Sequence, residues 1–255
     1  MTLSTTEIYD RAANDWKRRE PILLSDFTAR PFMISWCGDV RDRDVLDLGC
    51  GEGYVARRLA GLGAKVQAVD VSGEMVERAR EQESQDALGI NYRVADARDD
   101  SILELGSFDL IAAVFLFNYL DRAGTAAVFR RVRQMLRPGG RFVFSVPHPS
   151  LPYLRGHEKP FYFDTEGAGY FEGRDRTFEG KIWRRDGVAV PVRCVHKTLG
   201  DYFKLLREAG FHCMPDVEEL YVQPEHLEFD PDFFNGLKEQ PLHLAFRLQP
   251  DGDDR

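Results

Sequence analysis

Between Asp44 and Asp70 the chain reads DVLDLGCGEGYVARRLAGLGAKVQAVD, and no other stretch limits the fold so tightly. A short apolar run, Val45 to Leu48, is followed by glycines at alternate positions, Gly49, Gly51 and Gly53. A helical pattern then sets Val55, Leu59 and Leu62 on one face and ends among Gly61 and Gly63. A second apolar run, Val66 to Val69, closes on Asp70. Strand, glycine turn, helix and acid-terminated strand make one βαβ unit of roughly 30 residues. Glycine has no Cβ, so the turn can take positive φ and a ligand can press on bare backbone. The helix that starts just beyond it offers unbonded N–H groups. An acid at the end of the second strand can accept from both hydroxyls of a ribose. The unit therefore predicts an adenosine-containing ligand at the carboxyl ends of the strands.

A dinucleotide fingerprint, G-x-G-x-x-G, fits poorly. Counted from Gly49 its third glycine falls on Tyr54, and counted from Gly51 it falls on Ala56, with the glycines then late relative to the strand. A nicotinamide-dependent dehydrogenase stays open as an alternative. The turn D-L-G-C-G-E-G resembles the first motif of class I S-adenosylmethionine-dependent methyltransferases. The pair Asp96-Ala97 after a third strand and the run L-R-P-G-G-R-F-V-F-S into a fifth are similar to the family as well, and all occur in its order. The resemblance covers residues 41 to 147 well and the C-terminal strands more loosely. It implies an α/β, Rossmann-like, doubly wound sheet of seven mostly parallel strands in the order 3-2-1-4-5-7-6, the last one antiparallel. It also implies S-adenosyl-L-methionine as cofactor, leaving as S-adenosyl-L-homocysteine, with no pyrophosphate to cradle. Carried onto this chain, the cofactor-binding residues are Asp47, Gly49, Cys50, Gly51, Gly53, Tyr54, Asp70, Val71, Met75, Asp96, Ala97, Phe115 and Leu116. A Tyr-Asp-x-x-Ala start, matched by Tyr9, Asp10 and Ala13, adds Tyr9 and Trp16 from a segment that closes over the methyl donor.

Composition narrows the partners. The 255 residues suffice for one large domain with a cap, and 43% of them are hydrophobic. No apolar run reaches the roughly 18 residues of a membrane span, and the first twenty residues have no signal-peptide core. A formal charge of −8 argues against nucleic acid, the cluster Arg130-Arg131-Val132-Arg133 reading as a solvated helix face. Cys37, Cys50, Cys194 and Cys213 show no C-x-x-C pairing, and the six histidines form no metal-ligand spacing. The expectation is a cytoplasmic monomer or homodimer with a small-molecule substrate, no metal, no nucleic acid and no membrane.

Three regions are expected. Residues 1–40 read as a helical lid, with a piece from Ser25 to Trp36 that breaks near Pro31. Residues 41–147 and 197–250 form the cofactor-binding core. There Ser72, Asp121 and Thr198 cap helices, Pro138-Gly139-Gly140 stops one, Phe211 to Leu220 forms a sixth strand and Gln223 to Gln240 is a loop. Residues 148–196, rich in aromatics, form a β-rich substrate-cap insertion with a hairpin around Arg185-Asp186-Gly187.

Methyl transfer needs in-line alignment above all, and a base only where the acceptor must lose a proton. His148, directly after the fifth strand, is the first candidate base; His157 and Tyr119 follow. Phe117, Asn118, Tyr153 and Tyr162 are candidate substrate contacts. The aromatic insertion favours a small, aromatic or apolar acceptor of secondary or cofactor metabolism, methylated on O, N or C. A protein of this fold that binds the cofactor without transferring a methyl group is the other alternative.

Overall fold

The computed structural model describes residues 20–249, with Glu7, Asp10 and Trp16 ahead of them. The expectations for Tyr9, for Ala13 and for most of the helix at residues 1–19 lie outside the described residues. Glu7, Asp10 and Trp16 are helical, and from residue 20 onward two short helices follow, α1 (Leu24–Thr28) and α2 (Arg30–Trp36). The break falls at Ala29, whose non-helical φ of −134° leaves Pro31 in the first turn of α2, where a missing N–H costs no helical bond.

Next come β1 (Asp44–Leu48), α3 (Tyr54–Gly61), β2 (Lys65–Asp70), α4 (Gly73–Gln85), β3 (Asn91–Val94), β4 (Phe108–Val114), α5 (Arg122–Met135) and β5 (Leu136–Pro147). The three expected caps are present. Ser72 Oγ accepts from Met75 N–H, Asp121 from Gly124 N–H, and the Thr198 hydroxyl from Asp201 N–H. Beyond β5 lie α6 (Leu151–Leu154), β6 (Phe161–Phe163), β7 (Thr177–Trp183) and β8 (Ala189–Val195). The chain then runs through α7 (Leu199–Glu208), β9 (Asp216–Leu220), α8 (Pro224–Phe229) and α9 (Pro231–Phe234) to β10 (His243–Leu248).

The main sheet has seven strands in the order β3-β2-β1-β4-β5-β10-β9. Only β10 runs against its neighbours, antiparallel to both β5 and β9. This is the Rossmann-like doubly wound sheet expected from the sequence, with the topological reversal between β1 and β4. Strand alternation divides its two faces. Leu46 and Leu48 pack with Phe129, Phe142 and Phe246, while Val45 turns to Ala56, Val66 and Val143. A third cluster lies beyond the carboxyl edge, drawn from distant parts of the chain: Trp16, Leu23 and Leu24, then Phe161, Phe163 and Val192 of the three-stranded sheet β6-β7-β8, then Phe234 and Leu242.

Three local expectations are corrected. Pro138-Gly139-Gly140 does not stop a helix; α5 has already ended at Met135. The three residues form a bulge inside β5, where the pairing jumps from Phe108↔Leu136 to Leu110↔Arg141. The sixth strand starts only at Asp216, because Phe211 is held in the core against Phe142 rather than in the ladder. Residues 223–240 are not a loop. Gln223 and Asp230 each cap a short helix that opens on a proline, and Phe229 and Phe234 pack on Phe27.

Candidate active site

A cavity of about 430 Å³ opens between the carboxyl edge of the main sheet and the third apolar cluster, within the ~300–1,000 Å³ range of ligand pockets. Its floor is the glycine turn. Gly49 N–H and Cys50 N–H donate to Val69 O, tying the turn to the end of β2. Gly51, with φ of +54°, donates its N–H to Asp70 Oδ2 at 2.8 Å, and a Cβ there would meet no protein atom within 4 Å. The space over Gly51 therefore belongs to the cavity. Gly53 is needed for a different reason: its φ is +85°, and a Cβ would fall 2.4 Å from Tyr92 Oη. It makes the turn without lining the cavity.

Asp70 is braced from both sides, by Gly51 N–H and by Ser72 N–H at 2.9 Å. Burial pushes its carboxyl above the usual carboxylate range, against the pull of those N–H groups. The Ser72 hydroxyl donates to Asp10, and Trp16 lines the cavity. Val71, Met75, Asp96 and Ala97 complete this end. Asp96 is held below the usual range by its hydrogen bonds to Arg98.

Asp47 sits on the β1 face that meets α3, 1% exposed. It accepts from Ala56 N–H at the helix N-terminus, but its Oδ2 is buried with no hydrogen-bond partner among the described residues. Burial first, and then the Asp70 charge, push its carboxyl up to about 7. An unpartnered buried acceptor beside bare glycine backbone suits a ligand that brings its own cationic N–H group. Arg30 supplies the opposite charge: it pairs with the buried Asp26 at 2.9 Å and lies 5.3 Å from the Phe115 ring.

Beyond β4 the walls turn apolar. Phe115 takes a left-handed φ of +63° and stands between Arg30 and His243, its ring 5.1 Å from the histidine. Cys50, Tyr54, Leu116, Asn118 and Tyr119 line the cavity too, as do Leu23, Leu24, Leu151, Phe161, Phe163 and Val192. Arg193 is a further charge in this wall, paired with Glu179 at 2.8 Å.

Besides Gly53, five sequence-derived candidates stand outside the cavity wall. His148 does not line the cavity; Pro147 does, and the next side chain turns the other way. Its Nδ1 bonds Ser150 and its Nε2 bonds Glu219 on β9 at 2.8 Å, so it ties β5 to the sheet edge. His157 and Tyr162 stack on each other at 4.3 Å, away from the cavity, because β6 alternation sends Phe161 and Phe163 inward. The Phe117 ring is fully buried against Phe129 and Phe144. Tyr153 packs on Tyr170, Phe178 and His196. Sequence reasoning in turn missed Arg30, His243, Arg193, Phe161 and Phe163.

The sheet order, the left-handed glycine turn and the braced acid after β2 define a class I S-adenosylmethionine-dependent methyltransferase fold. Residues 45–140 match the family described as a methyltransferase domain. The chain is similar to a ubiquinone biosynthesis O-methyltransferase of Xanthomonas oryzae pv. oryzae, at 32% identity over 107 residues, 42% of this chain and 44% of that protein. A protein of the same name from Thiobacillus denitrificans is 23% identical over 226 residues, 88% of this chain and 81% of that one. A solved S-adenosylmethionine dependent methyltransferase from Mesorhizobium loti superposes with a TM-score of 0.61 at 27% identity, over 85% of this chain and 95% of that one. The match to the Xanthomonas relative thus spans less than half of that relative's length. The chain carries a methyltransferase domain, and the cofactor of that domain is S-adenosyl-L-methionine.

Proposed function

We propose that this protein transfers the methyl group of S-adenosyl-L-methionine to an O, N or C atom of a small, aromatic or apolar metabolite. The single observation that carries this reading is the two-ended cavity: glycine backbone and acids at one end, leucines and phenylalanines at the other. The cofactor supplies an electrophilic methyl carbon on a sulfonium. The protein's part is to bind and align. Asp70 accepts from the ribose hydroxyls, and Asp96 and Ala97 lie at the adenine end. Asp47 and Arg30 offer complementary charges to an amino-acid ammonium and carboxylate, and Trp16 closes over the site as part of a lid. Exclusion of water by the apolar wall strengthens these electrostatic contacts.

The names of the curated relatives favour hydroxylated acceptors and cofactor metabolism. Cys37, Cys50 and Cys194, buried thiols outside any disulfide among the described residues, favour a cytoplasmic setting. Calorimetry and mass spectrometry test the proposal together. S-adenosylhomocysteine is expected to bind, and trideuteromethyl label from the cofactor is expected on a small acceptor. Tight NAD binding with no S-adenosylhomocysteine binding would overturn it in favour of a dehydrogenase. Cofactor binding with no transfer to any small-molecule acceptor would leave a binding protein.

A further inference from the structure

The first residue of β10 lies at the same sheet edge as the last residues of the parallel strands, because β10 runs antiparallel to β5 and pairs His243 with Pro147. His243 therefore reaches the cavity over β5 and β10, away from the glycine turn. It is 6% exposed.

Its protonation pattern follows from its neighbours. Thr28 Oγ donates its single hydrogen to Leu24 O at 3.0 Å, within helix α1. The contact of 2.9 Å between Thr28 Oγ and His243 Nε2 must then be donated by the ring. Nε2 carries the proton and Nδ1 carries a lone pair. That Nδ1 is buried with no hydrogen-bond partner among the described residues. Burial, reinforced by the Arg30 and His148 charges, pushes the ring down to about 3 and keeps it neutral.

A second group in the same cavity has the same need. Asn118 is 3% exposed, lines the cavity, and its Oδ1 is buried without a donor among the described residues. It is held rigidly. The buried Lys197 ammonium donates to Phe117 O at 2.8 Å and also to Leu120 O and Val195 O, clamping the turn that carries Asn118 to strand β8. Two buried acceptor atoms left open in an apolar wall call for a ligand that brings donors.

We propose that the molecule methylated here presents a hydroxyl group to His243 Nδ1, and that His243 takes the hydroxyl proton as transfer occurs. This rests on the methyl transfer proposed above. In the balanced step the hydroxyl oxygen bonds the methyl carbon, the former S–C electron pair stays on sulfur, and the O–H proton moves to Nδ1. One positive charge leaves the sulfonium and one arrives on the imidazole, so the dry cavity carries the same net charge before and after. Thr28 is the positioning residue: its hydroxyl holds Nε2–H and so keeps the lone pair on Nδ1. The acceptor class is a phenol or similarly acidic hydroxyl on an apolar body. An anionic or carbonyl-only ligand would leave both open acceptors unmet.

The test is ¹⁵N spectroscopy of histidine-labelled protein saturated with S-adenosylhomocysteine, with His243 assigned by its absence from a His243→Asn sample. A bare Nδ1 and a protonated Nε2 are expected. Phenol should move the Nδ1 resonance upfield, and toluene, of the same shape without the hydroxyl, should not. Thr28→Val should mix the two tautomers and weaken the phenol response, with S-adenosylhomocysteine affinity unchanged within about a factor of two, as for a site not in contact. A protonated Nδ1 in the wild type, or equal responses to phenol and toluene, or none to either, would overturn the assignment of His243. Failure of S-adenosylhomocysteine to bind would take down the cofactor reading as well, so the two failures are distinguishable.

Discussion

Replacing Asp47 by asparagine should strengthen the fold while weakening the site, and the size of the stability gain should depend on pH. The carboxyl is buried against α3 with Oδ2 unpartnered, and its folded value is about 7 against 3.8 ordinarily. A raised folded value means that the native state holds this proton more tightly than the unfolded chain. The stability it contributes is fully present below about pH 4 and is lost as pH rises through about 7. A rise from 3.8 to about 7 corresponds to about 4 kcal/mol of buried charge above pH 7. Asparagine keeps the bond from Ala56 N–H and removes the charge. It gives back about 1 kcal/mol in lost attraction to the helix N-terminus and leaves an amide in the same dry spot. A net gain of about 2 kcal/mol at pH 8, shrinking toward zero at pH 5, is expected from urea denaturation without ligand. Calorimetry on the same samples should show S-adenosylhomocysteine binding weakened about 10–100-fold, the worth of one charge-assisted hydrogen bond. Equal destabilisation at both pH values, or unchanged affinity, would refute the reasoning, because either outcome requires a partner for Oδ2 that the geometry does not provide.

Other substitutions isolate other parts of the site. Asp70→Ala removes the acceptor for two backbone N–H groups and for the ribose, so S-adenosylhomocysteine affinity should fall by about 10²-fold while circular dichroism still reports a cooperative melt. Gly51→Ala should cost about 1 kcal/mol of stability, from its positive φ alone, yet abolish detectable cofactor binding in calorimetry. Gly53→Ala, which drives a Cβ against Tyr92, should show the reverse emphasis, a larger loss of stability by thermal melt. Lys197→Met strands three buried carbonyls and should cost about 2–4 kcal/mol in chemical denaturation, with faster amide exchange in the turn at residues 117–120.

What could be read from the chain was whatever is local. Ser72, Asp121 and Thr198 cap helices that begin at the very next residue, and the alternate glycines and Asp70 close one short βαβ unit, so spacing alone located them. His148 follows the fifth strand directly and so reads as a site residue, but one step of alternation separates it from Pro147, and only the sheet decides which of the two meets the cavity. In β6 all three residues are aromatic, so no polar partner marks the outward face, and Tyr162 could not be told from Phe161 and Phe163. Arg30 and Thr28 join the site through the docking of α1 and α2, a tertiary event with no local signature. His243 was within reach: an antiparallel last strand must begin at the ligand edge, and its first residue is this histidine.

At Phe115 the backbone departs from the pleat. Along β4, Leu110, Ala112 and Val114 face one layer while Ile111 and Ala113 face the other. A regular strand would send the next side chain after Ile111 and Ala113. The left-handed turn at 115 instead throws the ring over to the side of Val114. Such a conformation stores about 1–3 kcal/mol, and glycine or asparagine would occupy it at less cost. The width of the cavity here is thereby set by a side chain that lies at the margin of one layer and outside the pleat. Remodelling that wall to admit a bulkier molecule can therefore start at this position, with the foundations left as they are.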